Sequence, residues 1–271
     1  MIFVFSGPSD KQQTLWSQLI SSRYSLWRRH CPKLFFDYLE TLGLLSHPVN
    51  GHDIATILQS KTGFSCFPIE GFEPPHNYLA LLANKNFPIV TQLRDMKDDQ
   101  FAHAPDMLHD LVGHVPWLLH PAFTYFFSHM GRIFQKAVTR ARDLFTKEKR
   151  QQVLKSNLVA LIRCFWFTVE SGLIENQGKR QAYGAVLLGS PQELTHAFSK
   201  RVLVFPWCLD HIIHRPFDSQ TLQTTLFTLS HFDQLIEITI EIEARLDHGE
   251  LESIDADYDA LYFPELEVLC S

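Results

Sequence analysis

The sequence predicts a mainly α-helical protein with minor β elements, and three observations lead to that class. Apolar residues recur at three- and four-residue steps in several long stretches, a spacing typical of helices that bury one face. Only a few short apolar runs have the length and composition of strands. The chain has 271 residues, 45% of them hydrophobic, and contains no internal repeat or Gly/Ser linker. It is therefore expected to fold as one domain over residues 1–271.

The first half of the chain is expected to alternate helices with short extended segments. Helical spacing covers Asp10 to about Leu45, and Asp53 is a candidate N-cap for the next helix. The stretch from Gly63 to Pro75 is irregular or strand-like. Tyr78 to Asn84 is expected to be helical, and Phe87 to Gln92 forms a short apolar strand.

The second half is expected to be built on three longer helices. Pro105 and Asp106 begin the first, Pro121 begins the second, and the third runs from Val153 to about Gly172. The elements expected after them are an extended or looping run at Tyr183–Gly189, a helix opened by the capping box Ser190–Glu193, strands beyond Val202 that include Thr225–Leu229, and a helix after Ser230–Asp233.

Composition excludes several classes of function. The net charge is −6 with acids and bases mixed, unlike the basic footprint of a nucleic-acid-binding protein. Five cysteines are scattered without CxxC spacing, which favours a reducing compartment. The N-terminus lacks a charged signal-peptide region, and no apolar run is long enough to span a membrane. We expect a soluble, cytoplasmic protein that binds neither nucleic acid nor membrane.

The most informative segment is His109-Asp110-Leu111-Val112-Gly113-His114-Val115-Pro116. Residues five apart on a straight α-helix point about 140° away from each other. Gly113 and Pro116 loosen the helix end, so His114 is expected to swing round from a frayed end towards His109. Two unrelated histidines on an aromatic helix remain the alternative.

Glu170 lies in the most apolar part of the chain, Phe165-Trp166-Phe167-Thr168-Val169-Glu170. A carboxylate among such neighbours is expected to be partly buried, and a buried carboxylate must either have a cation nearby or become protonated. The candidates are a bound metal and Arg163, which lies two helical turns earlier.

Two histidines and one remote carboxylate form the donor set of a mononuclear non-haem iron site with open positions. Zinc hydrolases use the same donors, so a metal-dependent hydrolase is an alternative. Against hydrolysis, the acid after His109 is Asp110, which does not fit the His-Glu-x-x-His pattern that supplies a general base.

The segment from Pro105 to Pro116 resembles the iron-binding signature of the tetrahydropterin-dependent aromatic amino acid hydroxylases. The similarity continues through Trp166–Glu170, Ala182–Ala185 and Leu187-Leu188, and more weakly from about Trp16 to Ser230. It is strongest to the short bacterial phenylalanine hydroxylases.

The resemblance implies a helical catalytic domain that binds Fe(II) through His109, His114 and Glu170, and uses a tetrahydropterin and O2 as co-substrates. It also implies the absence of a regulatory domain and of a tetramerisation helix, and hence a monomer or weak dimer. By the same resemblance, the substrate is held by Arg94, Pro105, Trp166, Ser171 and Gly189, and the pterin by Gly71, Phe72, Glu73 and Tyr78.

Some positions depart from the family pattern. Ser171 stands where the family usually has Phe, and is expected to widen the substrate pocket; Gly189 stands where a Ser commonly orients the first histidine. The resemblance favours phenylalanine as substrate, with tyrosine and tryptophan as alternatives and broad specificity as a consequence of a wider pocket. A catalytically impaired homologue that binds metal or pterin is a further alternative.

Overall fold

The structure, a computed structural model, describes residues 9–45, 51–71, 73–98, 100–101 and 104–256. Helices account for most of the described chain, and the strands form two small sheets, so the predicted class is confirmed. The helices are α1 (Asp10–His30), α2 (Lys33–Thr41), α3 (Gly51–Thr62), α4 (Pro75–Ala83), α5 (Pro121–Leu144), α6 (Lys147–Phe165), α7 (Ala185–Gly189), α8 (Pro191–Ala197), α9 (Leu209–Ile213) and α10 (Gln234–Asp247).

The strands form one two-stranded and one four-stranded sheet. In the first, β1 (Ser65–Ile69) and β2 (Asn86–Val90) run parallel, with Ser65 opposite Asn86. The second contains β3 (Leu173–Asn176), β4 (Lys179–Ala182), β5 (Leu203–Pro206) and β6 (Thr225–Leu229) in the order β4-β3-β6-β5. Only the β3–β4 pair is antiparallel.

Helix α5 lies at the centre of the packing and contacts α4, α6 and α10. Pro121 occupies its first turn, where a missing N–H costs nothing, and the ring of His120 accepts from Ala122 N. Its buried face is mainly apolar and includes Phe123, Phe126 and Phe127. This face anchors the aromatic core on which the candidate site rests.

Helix α1 buries two tryptophans and one charged residue. Its start is fixed by a capping box between Ser9 and Gln12. Trp16 and Trp27 lie in the core, and the indole of Trp16 donates to Leu44 O at 3.0 Å. Arg23 lies between them and is only 1% exposed.

Several expected boundaries are wrong. Helix α3 already includes Gly51, so Asp53 lies in its first turn and is not its N-cap. Helix α6 begins at Lys147, six residues before the expected Val153. The run Tyr183–Gly189, expected to be extended or looping, contains the short helix α7, in which Leu187 and Leu188 are buried.

The later expectations agree with the structure. Ser190 caps α8 by accepting from Glu193 N, and Pro191 occupies the first turn. Within the described ranges, no helix combines the length and apolarity needed to cross a bilayer.

Candidate metal centre and substrate site

His109 and His114 lie at the two ends of a π-helical turn, His109–His114. In such a turn each N–H bonds to the carbonyl five residues earlier, as Val115 N does with Asp110 O. Residues five apart therefore face the same side, and the two imidazoles converge. The expectation of a frayed helix end is wrong. The two imidazoles converge because the backbone changes to regular π-helical winding.

Gly113 allows that turn to pack against α7. A Cβ atom at this position would lie 2.5 Å from the Cβ of Ala185, a separation that no side chain can adopt. The glycine thus serves close packing of the turn, in addition to any effect on helix winding.

Glu170 lies at the end of a second π-helical turn, Trp166–Glu170, which directly follows α6. Ser171 N bonds to Trp166 O at 2.9 Å, again five residues back, and Ser171 Oγ donates to the same carbonyl at 2.6 Å. Ser171 is fully buried, and its side chain stabilises the turn.

The three donor groups meet at short distances. His114 Nε2 lies 3.1 Å from one Glu170 oxygen and His109 Nε2 lies 3.4 Å from the other. The two Nε2 atoms are 3.2 Å apart, and all three ligand atoms lie within 4.8 Å of one another. Arg163, the alternative partner of Glu170, instead donates to Ile213 O and Asp255 O.

These separations fit a metal ion. Donor atoms about 2.1 Å from one octahedral ion stand about 3 Å apart at neighbouring positions. Two imidazole nitrogens and one carboxylate form a potential metal site of the type used by non-haem iron enzymes, with the remaining positions open to small molecules.

The electrostatics favour the ligand form of the carboxylate. Burial acts to raise the pKa of Glu170, but the charges and hydrogen bonds of His114 and His109 outweigh it and hold the pKa well below its usual range. Glu170 is therefore an anion at any working pH. The rings of Phe87 and Phe127 lie 5.6 Å and 5.7 Å from that of His114 and shield this side from water.

Asp110 anchors the first turn. Its carboxylate accepts from Val90 N at 2.7 Å and so ties the turn to β2. Burial raises its pKa to about 7, partly offset by the charge of His109 and the bond from Val90. This role in the scaffold differs from that of a hydrolytic general base.

Arg94, expected to bind a substrate carboxylate, lies beside the histidines in a buried ion pair. Its Nε and Nη2 donate to the two oxygens of Asp106 at 2.8 Å and 2.7 Å, and its Nη1 donates to Gly189 O at 2.9 Å. Asp106 also accepts from His109 N at 2.9 Å. Three of the five guanidinium donors are used, which leaves one on each terminal nitrogen.

Asp106 therefore connects the two parts of the site. Burial acts to raise its pKa, but the hydrogen bonds and charge of Arg94 lower the pKa overall. The sequence indicated only that Asp106 begins a helix. Its second role is to pair with Arg94. The signal for this role is that Asp106 follows the candidate binding arginine by twelve residues and begins the helix that carries His109.

The structure places Gly189 next to both groups. A Cβ atom there would lie 3.7 Å from Arg94 Nη2 and 3.8 Å from His109 Nδ1, which are ordinary contact distances. A serine would therefore fit at this position, and packing does not require a glycine there.

Two aromatic residues predicted for the pockets adjoin the metal ligands. Trp166 begins the second turn and stacks on Phe217 at 4.4 Å between ring centroids. Tyr78, in α4, contacts Phe87 and Phe165 edge-on. Burial raises the pKa of Tyr78, and the negative charges of Glu170 and Asp110 add to the effect. Among the described residues, neither the Tyr78 hydroxyl nor the Trp166 indole N–H has a hydrogen-bond partner.

The remaining predicted residues lie in loops. Pro105 is exposed just before Asp106. Gly71 and Glu73 lie between β1 and α4, and Gly71 has a φ of +76°, which favours glycine. Phe72 lies outside the described residues.

The sequence is similar to proteins of one known family. The model of the family described as biopterin-dependent aromatic amino acid hydroxylase matches residues 9–249. A probable aromatic amino acid hydroxylase of Chlamydia pneumoniae is 51% identical over 258 residues, which is 95% of this chain and 71% of the relative. The phenylalanine-4-hydroxylase of Mesorhizobium japonicum is 29% identical over 229 residues, 84% and 78% of the two chains.

Solved structures show the same fold. The Chromobacterium violaceum phenylalanine hydroxylase with bound iron(III) and oxidised cofactor 7,8-dihydrobiopterin superposes with a TM-score of 0.77 at 25% identity, covering 96% of this chain and 90% of that one. The chain belongs to the biopterin-dependent aromatic amino acid hydroxylase family.

Proposed function

We propose that this protein is an iron(II)- and tetrahydropterin-dependent monooxygenase that hydroxylates the ring of L-phenylalanine to give L-tyrosine. The observation that carries the proposal is the convergence of His109, His114 and Glu170 beside the buried Arg94–Asp106 pair. The three groups that could bind a metal thus lie next to a guanidinium that could bind an anion, as an oxygenase of amino acids requires. Family membership supports the same reaction class.

The protein residues have separable tasks. His109, His114 and Glu170 would hold the iron, which together with a reduced pterin supplies the activation of O2. Arg94 would bind the substrate carboxylate through the two donors that Asp106 and Gly189 leave free. Asp106 keeps the Arg94 guanidinium aligned with His109. The substrate ring would then be held at a fixed position relative to the metal.

Aromatic side chains would order the two organic molecules. Trp166, fixed by its stack on Phe217, would form a wall for the substrate ring, and Tyr78 would stack on the pterin. The loop with Gly71, Phe72 and Glu73 would line the pterin pocket. The rings of Phe87 and Phe127 packed against His114 would keep water away from that side of the iron, which would limit side reactions.

The choice of ring is the finer part of the proposal. Trp166 favours a substrate the size of phenylalanine or tyrosine. Slower hydroxylation of tyrosine and tryptophan belongs to the same proposal, as the alternative that product analysis decides. Phenylalanine-4-hydroxylase relatives favour phenylalanine as the preferred substrate.

The test is product analysis with purified protein, Fe(II), tetrahydrobiopterin and air, using each of the three aromatic amino acids in turn. We expect tyrosine from phenylalanine at the highest rate, and no product under nitrogen. Hydroxylated product formed at the same rate under nitrogen would contradict a monooxygenase. A protein that binds iron and pterin yet releases no hydroxylated product from any of the three would indicate the catalytically impaired homologue.

We further propose that the protein acts in the cytoplasm as a monomer or weak dimer, built from one catalytic domain over residues 1–271. The four described cysteines carry free thiols, as suits a reducing compartment. Light scattering after size-exclusion chromatography should give a mass close to the 31.4 kDa of one chain; a stable tetramer would contradict this part of the proposal.

A further inference from the structure

Arg23, on α1, reaches the substrate side of the site from a different part of the chain. Its Nε and Nη2 donate to Gly189 O at 3.3 Å and 3.0 Å. Arg94 Nη1 donates to the same oxygen at 2.9 Å. Three N–H groups from two guanidinium groups therefore share one carbonyl oxygen.

The side chain is firmly held. Arg23 is 1% exposed, and its Nη1 donates to Leu19 O at 2.8 Å and to Ser22 Oγ at 2.9 Å. Because these bonds fix the guanidinium against its own helix, the Gly189 carbonyl has a rigid donor on the α1 side. The carbonyl in turn has a fixed direction towards Arg94.

Helix α1 makes a second bond to the same segment. The indole of Trp27, one turn after Arg23, donates to Leu188 O at 3.0 Å. Carbonyls at the end of a helix lack partners within it, so Arg23 and Trp27 together satisfy the last two residues of α7. Arg23 shares its acceptor with Arg94, whereas Trp27 does not. A change at Trp27 therefore tests packing alone, and a change at Arg23 also tests substrate recognition.

We propose that Arg23 is a positioning residue for substrate recognition: it holds the Gly189 carbonyl, and through it the Arg94 guanidinium, in the orientation that binds the carboxylate of the amino acid. The inference rests on the proposed function, in which Arg94 binds that carboxylate. It predicts that loss of Arg23 weakens ligands with a carboxylate and spares ligands without one.

The experiment measures binding to the iron-loaded protein with tetrahydropterin under nitrogen, where no turnover occurs. Isothermal titration calorimetry would compare L-phenylalanine with L-phenylalaninol, which lacks the carboxylate. For Arg23→Leu we expect the dissociation constant of L-phenylalanine to rise about tenfold, the size expected for a lost hydrogen bond to a charged group. That of L-phenylalaninol should change less than about twofold.

Three further variants define the cause. Arg23→Lys keeps the charge but loses the paired donors, and should fall between wild type and Arg23→Leu. Trp27→Phe removes the bond to Leu188 O and should affect both ligands equally. Arg29→Leu, on an exposed position of the same helix, should behave as wild type.

Equal effects of Arg23→Leu on the two ligands, no effect on either, or the same selective loss in Trp27→Phe would overturn the inference. If Arg23→Leu does not fold, Arg23→Lys decides, and wild-type selectivity in that variant overturns it. A wild-type protein that binds no aromatic amino acid would overturn the proposed function as well. Normal binding by wild type, with no change in the variants, would overturn only the role of Arg23.

Discussion

The two sides of the site are constructed in different ways. On the metal side, two π-helical turns present the three donor groups, so the backbone fixes their positions. On the carboxylate side, charged groups from separate elements are joined by side-chain hydrogen bonds that centre on Arg94, Asp106 and Gly189. The metal side should therefore fail when a donor is lost, while the carboxylate side should fail when any buried charge loses its partner.

The largest effect is expected from removing a metal ligand. In His109→Ala, His114→Ala or Glu170→Ala, one of three protein donors is lost, and bound iron should fall to less than about a tenth of wild type. Iron measured by plasma mass spectrometry after desalting checks this without reference to activity. His129→Ala, which alters a histidine elsewhere on α5, should retain full iron content. Wild-type iron in all three ligand variants would rule out the proposed centre.

The second effect concerns the carboxylate side. Asp106→Ala leaves the buried Arg94 guanidinium without its carboxylate and removes the cap on His109 N, so we expect a loss of about 3 kcal/mol in the free energy of unfolding. Urea denaturation measures it. Asp37→Ala is the matched control, because its ion pair with Lys33 is exposed and should contribute less than about 0.5 kcal/mol. Similar losses in the two variants would show that the Arg94–Asp106 pair has no special importance.

The same contrast explains what the sequence could predict. The candidate ligands His109, His114 and Glu170 can be predicted because the sequence shows directly which residues can donate to a metal and which of them have apolar neighbours. The π-helical winding cannot be predicted, since i→i+5 hydrogen bonds leave no periodic pattern of their own in so short a turn. Helix α7 is not predicted for a related reason: a five-residue helix is shorter than the window in which helical spacing can be detected.

The contacts of the carboxylate side could not be derived from sequence spacing. Arg23 and Gly189 are 166 residues apart, and nothing local to either indicates the other. The apolar spacing of Trp16, Leu19 and Ile20 indicates the buried face of α1, whereas an arginine is ordinarily expected to be exposed to solvent. Such long-range bonds between side chain and backbone become visible only when the fold is known.

A third prediction tests whether burial sets the protonation state of Glu193, which lies near the carboxylate side of the site. Burial raises the pKa of Glu193, in α8, to about 7, partly offset by the charge of His109. The folded state therefore holds a proton that the unfolded state releases between the ordinary value of 4.5 and about 7, so wild type loses stability as pH rises through that window. Glu193→Gln removes this loss and should gain about 2 kcal/mol relative to wild type above pH 7.

Urea denaturation of both proteins from pH 4 to pH 8, with chelator present so that metal loss does not enter, measures the gain. The difference in unfolding free energy between Glu193→Gln and wild type should grow with pH across the window and then level off. Glu237→Gln, an exposed position in the first turn of α10, provides the control and should show no such trend. A difference that stays constant with pH would show that Glu193 titrates as an ordinary glutamate.

The smallest effect lies where the two sides touch. A Cβ atom at Gly189 would meet Arg94 Nη2 and His109 at ordinary contact distances, so Gly189→Ser should fold normally and keep its iron. Its hydroxyl would stand near His109 Nδ1 and the carboxylate subsite, and a neutral hydrogen bond there should lower the KM for L-phenylalanine about threefold. Gly189→Ala adds the same Cβ without the hydroxyl and should leave KM unchanged or slightly raised. A large rise in kcat in the serine variant would instead show that glycine at this position limits the chemistry, and that the metal side and the carboxylate side are coupled more tightly than their separate construction indicates.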